Sequence, residues 1–331
     1  MSDPRARPAI TPNLDRLQSD WERLSSFRAE GLPGWTRRPF TPAYRAARAW
    51  LADRMAAAGL TPEIDAAGNL IGRRAGRGRP PVARAPGGPA GELQPIMVGS
   101  HTDTVTGGGR FDGSIGVLGA IEIVRCLEEA QRELAHPLEV VDFLAEEPTD
   151  FGISTVGSRG LVGALGAEAL GRRDPQGQTL AEAIASVGGR PELIAAAARR
   201  PGSVALYLEL HIEQGPVLET EGLRLGVVTG LTGIARCRML IEGRADHAGT
   251  TPMAARRDAL AAAAEIVLAL EALWARSGAR GAEGAAWARP VGCSSRRTRP
   301  TSCRGWWSSG PRCGAWMAPS CSRIGARLTS G

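Results

Sequence analysis

Three short stretches concentrate side chains able to bind cations or move protons. The first, residues 100–113, reads S-H-T-D-T-V-T-G-G-G-R-F-D-G and offers His101, Asp103 and Asp112. The second is the Glu146-Glu147 pair, and the third is H-I-E-Q-G at 211–215. Neutral imidazole with carboxylate suits zinc, manganese or cobalt, and the lack of cysteine among these candidates argues against a purely structural zinc site. Asp103, two residues from His101, is placed to accept the second ring N–H and fix the tautomer. Asp112, in a glycine-flanked turn, can give one oxygen to each of two ions. Adjacent glutamates point in different directions, so one of Glu146 and Glu147 can bind metal while the other serves as a base. Taken singly these signals are weak: an isolated H-x-D is common surface chemistry and a lone Glu-Glu is usually solvated.

The elements around them raise their value. Helical periodicity covers 13–27 and 42–58, the second with Thr41 as N-cap, Pro42 at its first position and Gly59 just past its end. Residues 63–73 predict two strands around a turn at Gly68-Asn69. Short apolar runs predict strands at 95–100, 138–144 and 203–210, with a helix over 113–130 between the first two. Alternating strands and helices imply an α/β sheet, and all three clusters then fall just beyond strand C-ends, where such sheets place their ligands. Two further strands, 223–230 and 235–243, and an Ala-rich helix over 254–275 predict a separate small layer. His136, beside Pro137 in a loop, carries no role, and Cys126 reads as core packing. His247, before A-G-T-T-P, reads by itself as a helix-start histidine without a role.

Composition narrows the function classes. The net charge of +6 comes from the C-terminal end: Trp287 to Gly331 holds eight arginines and no acid, leaving 32 basic against 34 acidic side chains in 1–286. The body is therefore no basic surface for nucleic acid. Neither a disulfide framework nor a zinc ribbon fits the six cysteines, four of which lie in the last 40 residues. With no apolar run behind its N-terminal charges and no long uncharged apolar stretch, the chain is expected to be cytoplasmic, with no membrane partner.

Four longer motifs carry a family resemblance. G-S-H-T-D-T-V-T-G-G-G-R-F-D-G-S-I-G-V-L, F-L-A-E-E-P-T-D-F-G-I-S-T-V-G-S-R, L-H-I-E-Q-G-P-V-L-E and D-H-A-G-T-T-P-M-A-A-R-R-D-A-L resemble the hydantoinase/carbamoylase amidohydrolases, within the aminoacylase-like metallopeptidase superfamily. The likeness runs from about Arg38 to about Glu283. It implies a mixed-sheet α/β metallopeptidase-like catalytic domain over 1–221 and an inserted α+β lid and dimerisation domain, incomplete here, over 222–284. It also implies two divalent metal ions per subunit, a small-molecule substrate and a homodimer through the lid. His101, Asp112 and His211 would surround one metal, with Asp112 bridging and Glu147 on the second. Glu146 would be the general base, Gln214 a substrate-side group, and His247 the group reaching the partner subunit's active site to hold the oxyanion. The implied reaction is hydrolysis of linear amide or ureido C–N bonds by metal-activated water. N-carbamoyl-L-amino acids, allantoate and β-ureidopropionate are the substrate types. The alternatives are a peptidase or aminoacylase of the same superfamily, against which H-I-E-Q-G-P argues, and a catalytically dead remnant.

The pattern breaks after Ala285. The family's P-N-x-x-N-V-x-P-G segment, its carboxylate-binding arginine and its late metal-binding histidine have no counterpart. Residues 285–331, rich in Arg, Cys, Trp and Ser, resemble GC-rich DNA translated out of frame. Read from the third base, Trp306-Trp307 forces Val and Trp316-Met317 forces Asp, both of which the missing family segment accommodates. The expectation is a frameshift near Ala285, a disordered tail, and a chain with an impaired second metal site.

Overall fold

The computed structural model describes residues 10–77, 93–231, 238–278 and 326–329. The chain divides into two compact units, Met1–Gly222 and Leu223–Gly331.

The first unit starts with two capped helices. The Asn13 side chain accepts the Arg16 N–H at the start of α1 (Leu14–Ser26). Thr41 Oγ1 likewise accepts from Tyr44 at the start of α2 (Pro42–Ala57), which has Pro42 in its first turn. Gly59, at φ +83°, turns the chain out of α2 into the hairpin β1 (Thr61–Ile64) and β2 (Leu70–Arg74). The hairpin is antiparallel, with Gly68 at φ +87° and the Asp65 carboxylate accepting from the Asn69 backbone and side chain.

Next come β3 (Ile96–His101), α3 (Ser114–Glu129) and β4 (Leu138–Phe143), a βαβ unit whose strands pair in parallel. β2 joins β4 antiparallel, and β5 (Leu206–Leu208) joins β3 in parallel. The order β1-β2-β4-β3-β5 is the mixed α/β sheet expected from sequence. Successive residues of β4 serve opposite faces, as strand alternation requires. Val140 packs with Leu24, Leu51, Met55, Leu118 and Ile121 from α1, α2 and α3, whereas Val141 packs with Ile71 and Met97. Each such buried aliphatic side chain contributes about 1.5–3 kcal/mol relative to exposure. A third cluster, including Leu144, Val156, Leu180 and Ile184, seats α4 (Val156–Leu161) beyond the end of β4.

Two strand expectations need correction. The 203–210 run yields only three residues of ladder, because β5 has just one neighbour among the described residues, β3. Residues 223–230 form no strand at all. With no partner for its ladder among the described residues, this segment leaves Leu225, Val227 and Val228 more than three-quarters exposed. In the second unit β6 (Arg238–Ile241) pairs antiparallel with β7 (Ala326–Thr329). The 235–237 part of the expected strand lies outside the described residues. The Ala-rich helix spans Ala259–Gly278 instead of 254–275. Its start is set by Asp258, whose carboxylate accepts the Leu260 and Ala261 amides, while Pro252 and a 3-10 turn over Met253–Ala255 occupy the preceding stretch. The expected tail over 285–331 lies outside the described residues except at β7, which pairs with β6. Among the described residues no helix is long and apolar enough to cross a membrane.

Candidate metal centre

His101 ends β3, 3% exposed, and its backbone is still in register with Phe143 of β4. Nδ1 lies 3.0 Å from the Asp103 backbone carbonyl, which can only accept, so Nδ1 carries a proton and donates. The opposite nitrogen, Nε2, faces Asp112 Oδ1 at 4.0 Å and Glu146 Oε2 at 3.7 Å. Asp103, expected to meet the other ring nitrogen, Nδ1, does so with two groups. Its carboxylate is 3.6 Å from Nδ1, and the nearer contact is made by its own backbone oxygen. The carboxylate also accepts the Glu146 and Glu147 amides, at 3.2 and 3.0 Å. It thereby ties the end of β3 to the end of β4.

Asp112 and Gly113 form the turn into α3. Gly113 sits at φ +61°, and a Cβ there would lie 2.5 Å from the His101 ring. Only glycine fits both the backbone and the imidazole. His211, three residues beyond β5, brings Nε2 to 3.2 Å from Asp112 Oδ1. Its ring lies 5.9 Å from that of His101. One ligand atom each from His101, Asp112 and His211 lies within 4.8 Å of the other two, the donor set and spacing that a divalent cation needs. Glu147 reaches the same Asp112 carboxylate. Gln214, expected on the substrate side, donates Nε2 to both Asp112 oxygens, at 3.3 and 3.2 Å.

The glutamates follow a strained corner. Ala145, fully buried, adopts φ +48°, and its carbonyl and that of Glu146 are taken up by Val156 and Thr155 at the start of α4. Burial raises the Glu146 and Glu147 pKa values, Glu147 to about 7, with the neighbouring carboxylates adding to the rise against the pull of His101. Burial opposes the charged form of His101, yet Asp103, Glu146 and Asp112 outweigh it and hold this imidazole at about 10. Hydrogen bonding to His211 lowers the Asp112 pKa and raises that of His211. Carboxylates gathered in this way around two imidazoles call for a cation.

A buried layer that the motifs did not reveal supports this rim. Asp142 of β4, fully buried, accepts from Thr102 Oγ1 at 2.9 Å and from Arg48 Nε of α2 at 3.0 Å. Arg37, 2% exposed, donates to the carbonyls of Thr102, Leu24 and Phe27. The segment between His101 and Asp103 is thus held by two interior guanidiniums. Single charged residues in R-R-P-F or D-F-L carry no spacing signal that announces such a layer.

Of the other histidines, His136 is bonded to the Gln94 carbonyl. His247 belongs to the second unit, where its Nδ1 accepts the Gly249 and Thr250 amides.

Residues 97–291 match the peptidase family M20/M25/M40. The chain belongs to this family. Within it, the chain is 44% identical over 261 residues to an N-carbamoyl-L-amino acid amidohydrolase from Geobacillus stearothermophilus, covering 78% of this chain and 61% of the relative. It is 40% identical to a ureidoglycolate hydrolase from Arabidopsis thaliana, covering 80% of this chain and 54% of that one. A solved hydantoinase/carbamoylase family amidase from Burkholderia ambifaria superposes with a TM-score of 0.65 at 37% identity, over 86% of this chain and 65% of that structure. The resemblance read from the four motifs is borne out. This M20 chain spans somewhat over half the length of the curated relatives it matches.

Proposed function

We propose that this chain is built for metal-dependent hydrolysis of linear ureido and amide C–N bonds, with N-carbamoyl-L-amino acids as the preferred substrate class. The observation that carries this is the convergence of His101, Asp112 and His211 with Glu146 alongside. The amidohydrolase relatives support the substrate class.

His101, Asp112 and His211 would hold one divalent zinc, manganese or cobalt ion, and Asp112 with Glu147 would hold a second. Such ions, when bound, acidify water and polarise the substrate carbonyl. Glu146 takes the proton of the attacking water and delivers it to the leaving nitrogen, and its raised pKa suits both transfers. R–NH–CO–NH2 and water then give R–NH2 and carbamic acid, which falls to CO2 and ammonia. Gln214, already beside Asp112, orients the substrate. With Nδ1 occupied as an acceptor, His247 in its neutral form carries its proton on Nε2, ready to donate to an oxyanion in a homodimer partner's site.

Among the described residues the second ion would have Asp112 and Glu147, with His136 turned to Gln94, and we infer slow turnover with these ligands alone. The test is hydrolysis of N-carbamoyl-L-amino acids, ureidoglycolate, allantoate and dipeptides by the purified chain loaded with each metal. Slow, chelator-sensitive release of ammonia from the carbamoyl substrates alone supports the reading. Faster dipeptide cleavage would overturn it.

A further inference from the structure

The ladder between β3 and β5 stops short of the histidines that it must bring together. Its register runs Ile96–Leu206, Met97–Tyr207 and Val98–Leu208 and ends there. Continued one for one, it would set Gly99 opposite Glu209 and His101 opposite His211. On its other side β3 stays paired with β4 as far as His101. His101 therefore keeps a ladder on its β4 side only, and His211 lies on a stretch with no ladder on either side among the described residues.

Side chains replace the missing ladder. Ser100 Oγ, 1% exposed, donates to Glu209 Oε1 at 2.5 Å. Tyr207 OH donates to Glu209 Oε2 at 2.6 Å and lies 3.4 Å from the Gly99 carbonyl. Glu209 thus takes one hydroxyl from β3 and one from β5, both charge-assisted and short. Behind it, α3 presses on the same gap: a Cβ on Gly116 would lie 2.6 Å from the Leu210 carbonyl and 2.7 Å from Ser100 Cβ. The span between the imidazoles is therefore set by a carboxylate bridge in front and a bare helix backbone behind.

We propose that Glu209 is a positioning residue whose bridge to Ser100 and Tyr207 sets the His101–His211 spacing and with it the affinity of the cation site. It touches neither cation nor substrate and acts through the two histidines. The inference rests on the metal-site reading above, and the experiment separates the two.

The purified 331-residue chain is titrated with Co2+ alone, following both affinity and the visible d–d spectrum. Glu209→Ala is expected to weaken binding about 10–100-fold, the usual effect of losing a group that orients a ligand, and to change the band positions. Glu209→Gln, which still accepts from Ser100, is expected to keep the wild-type spectrum. Ser100→Ala removes the β3 half of the bridge and is expected to shift the spectrum in the same direction as Glu209→Ala; it carries the test if that variant does not fold. Wild-type affinity and spectrum in the folded bridge variants overturn the inference alone. A wild-type chain that takes up no Co2+ overturns the metal-site reading and this inference with it.

Discussion

The Asp103 carboxylate accepts the backbone amides of both Glu146 and Glu147, at 3.2 and 3.0 Å. One fully buried side chain at the end of β3 thereby fixes where the two glutamates leave β4. Asp103→Ala deprives both amides of their acceptor and frees the glutamate corner. Co2+ affinity is expected to fall about 10–100-fold, with Asp103→Asn intermediate because it keeps one accepting oxygen. Unchanged affinity in a folded Asp103→Ala protein would contradict this arrangement.

Gly113 gives a sharper steric test. A methyl group there meets the His101 ring at 2.5 Å on a backbone at φ +61°. Gly113→Ala is expected to displace the imidazole and cost at least about tenfold in Co2+ affinity, or roughly 1.4 kcal/mol. Gly109→Ala, where a Cβ meets nothing within 4 Å, serves as the control and should bind like the wild type.

Metal uptake should release protons. His101 stands at about 10 without metal, so it is protonated at neutral pH and must lose that proton before Nε2 can bind a cation. The sign is fixed: binding strengthens as pH rises toward 10, by up to about tenfold per unit for each proton displaced. Calorimetry in buffers of different ionisation enthalpy counts those protons, and a count of zero at pH 7 would sink the prediction.

Asp142 is the interior test. Asp142→Ala leaves the Arg48 guanidinium, 6% exposed, without its carboxylate, and removes the acceptor of Thr102 Oγ1. Breaking a buried pair from one side costs about 3–5 kcal/mol, to be read from the midpoint of urea unfolding. A shift under about 1 kcal/mol would show that Arg48 finds another partner or water.

Much of the sheet was legible because periodicity and local chemistry agree there. Thr41, Pro42 and Gly59 bound α2, and Gly68 marks the hairpin between β1 and β2. The apolar run at 138–144 became the central β4, where burial on both faces demands just such a run. At 223–230 the same reasoning failed. A strand is a property of a pair, and that stretch finds no partner among the described residues.

The candidate site divides along the same line. Residue types, their joint placement beyond three strand ends and the motif resemblance were enough to single out His101, Asp112, Glu146, Glu147 and His211 as candidate cation-binding and proton-moving groups. Tertiary structure alone decided which oxygen of Asp103 meets His101, that Gln214 turns to Asp112, and that Arg37, Arg48, Asp142 and Glu209 lie beneath or beside the rim. Those relations join residues tens of positions apart. They depend on ångström-scale distances between strand ends, which arise only when the whole sheet and its helices pack.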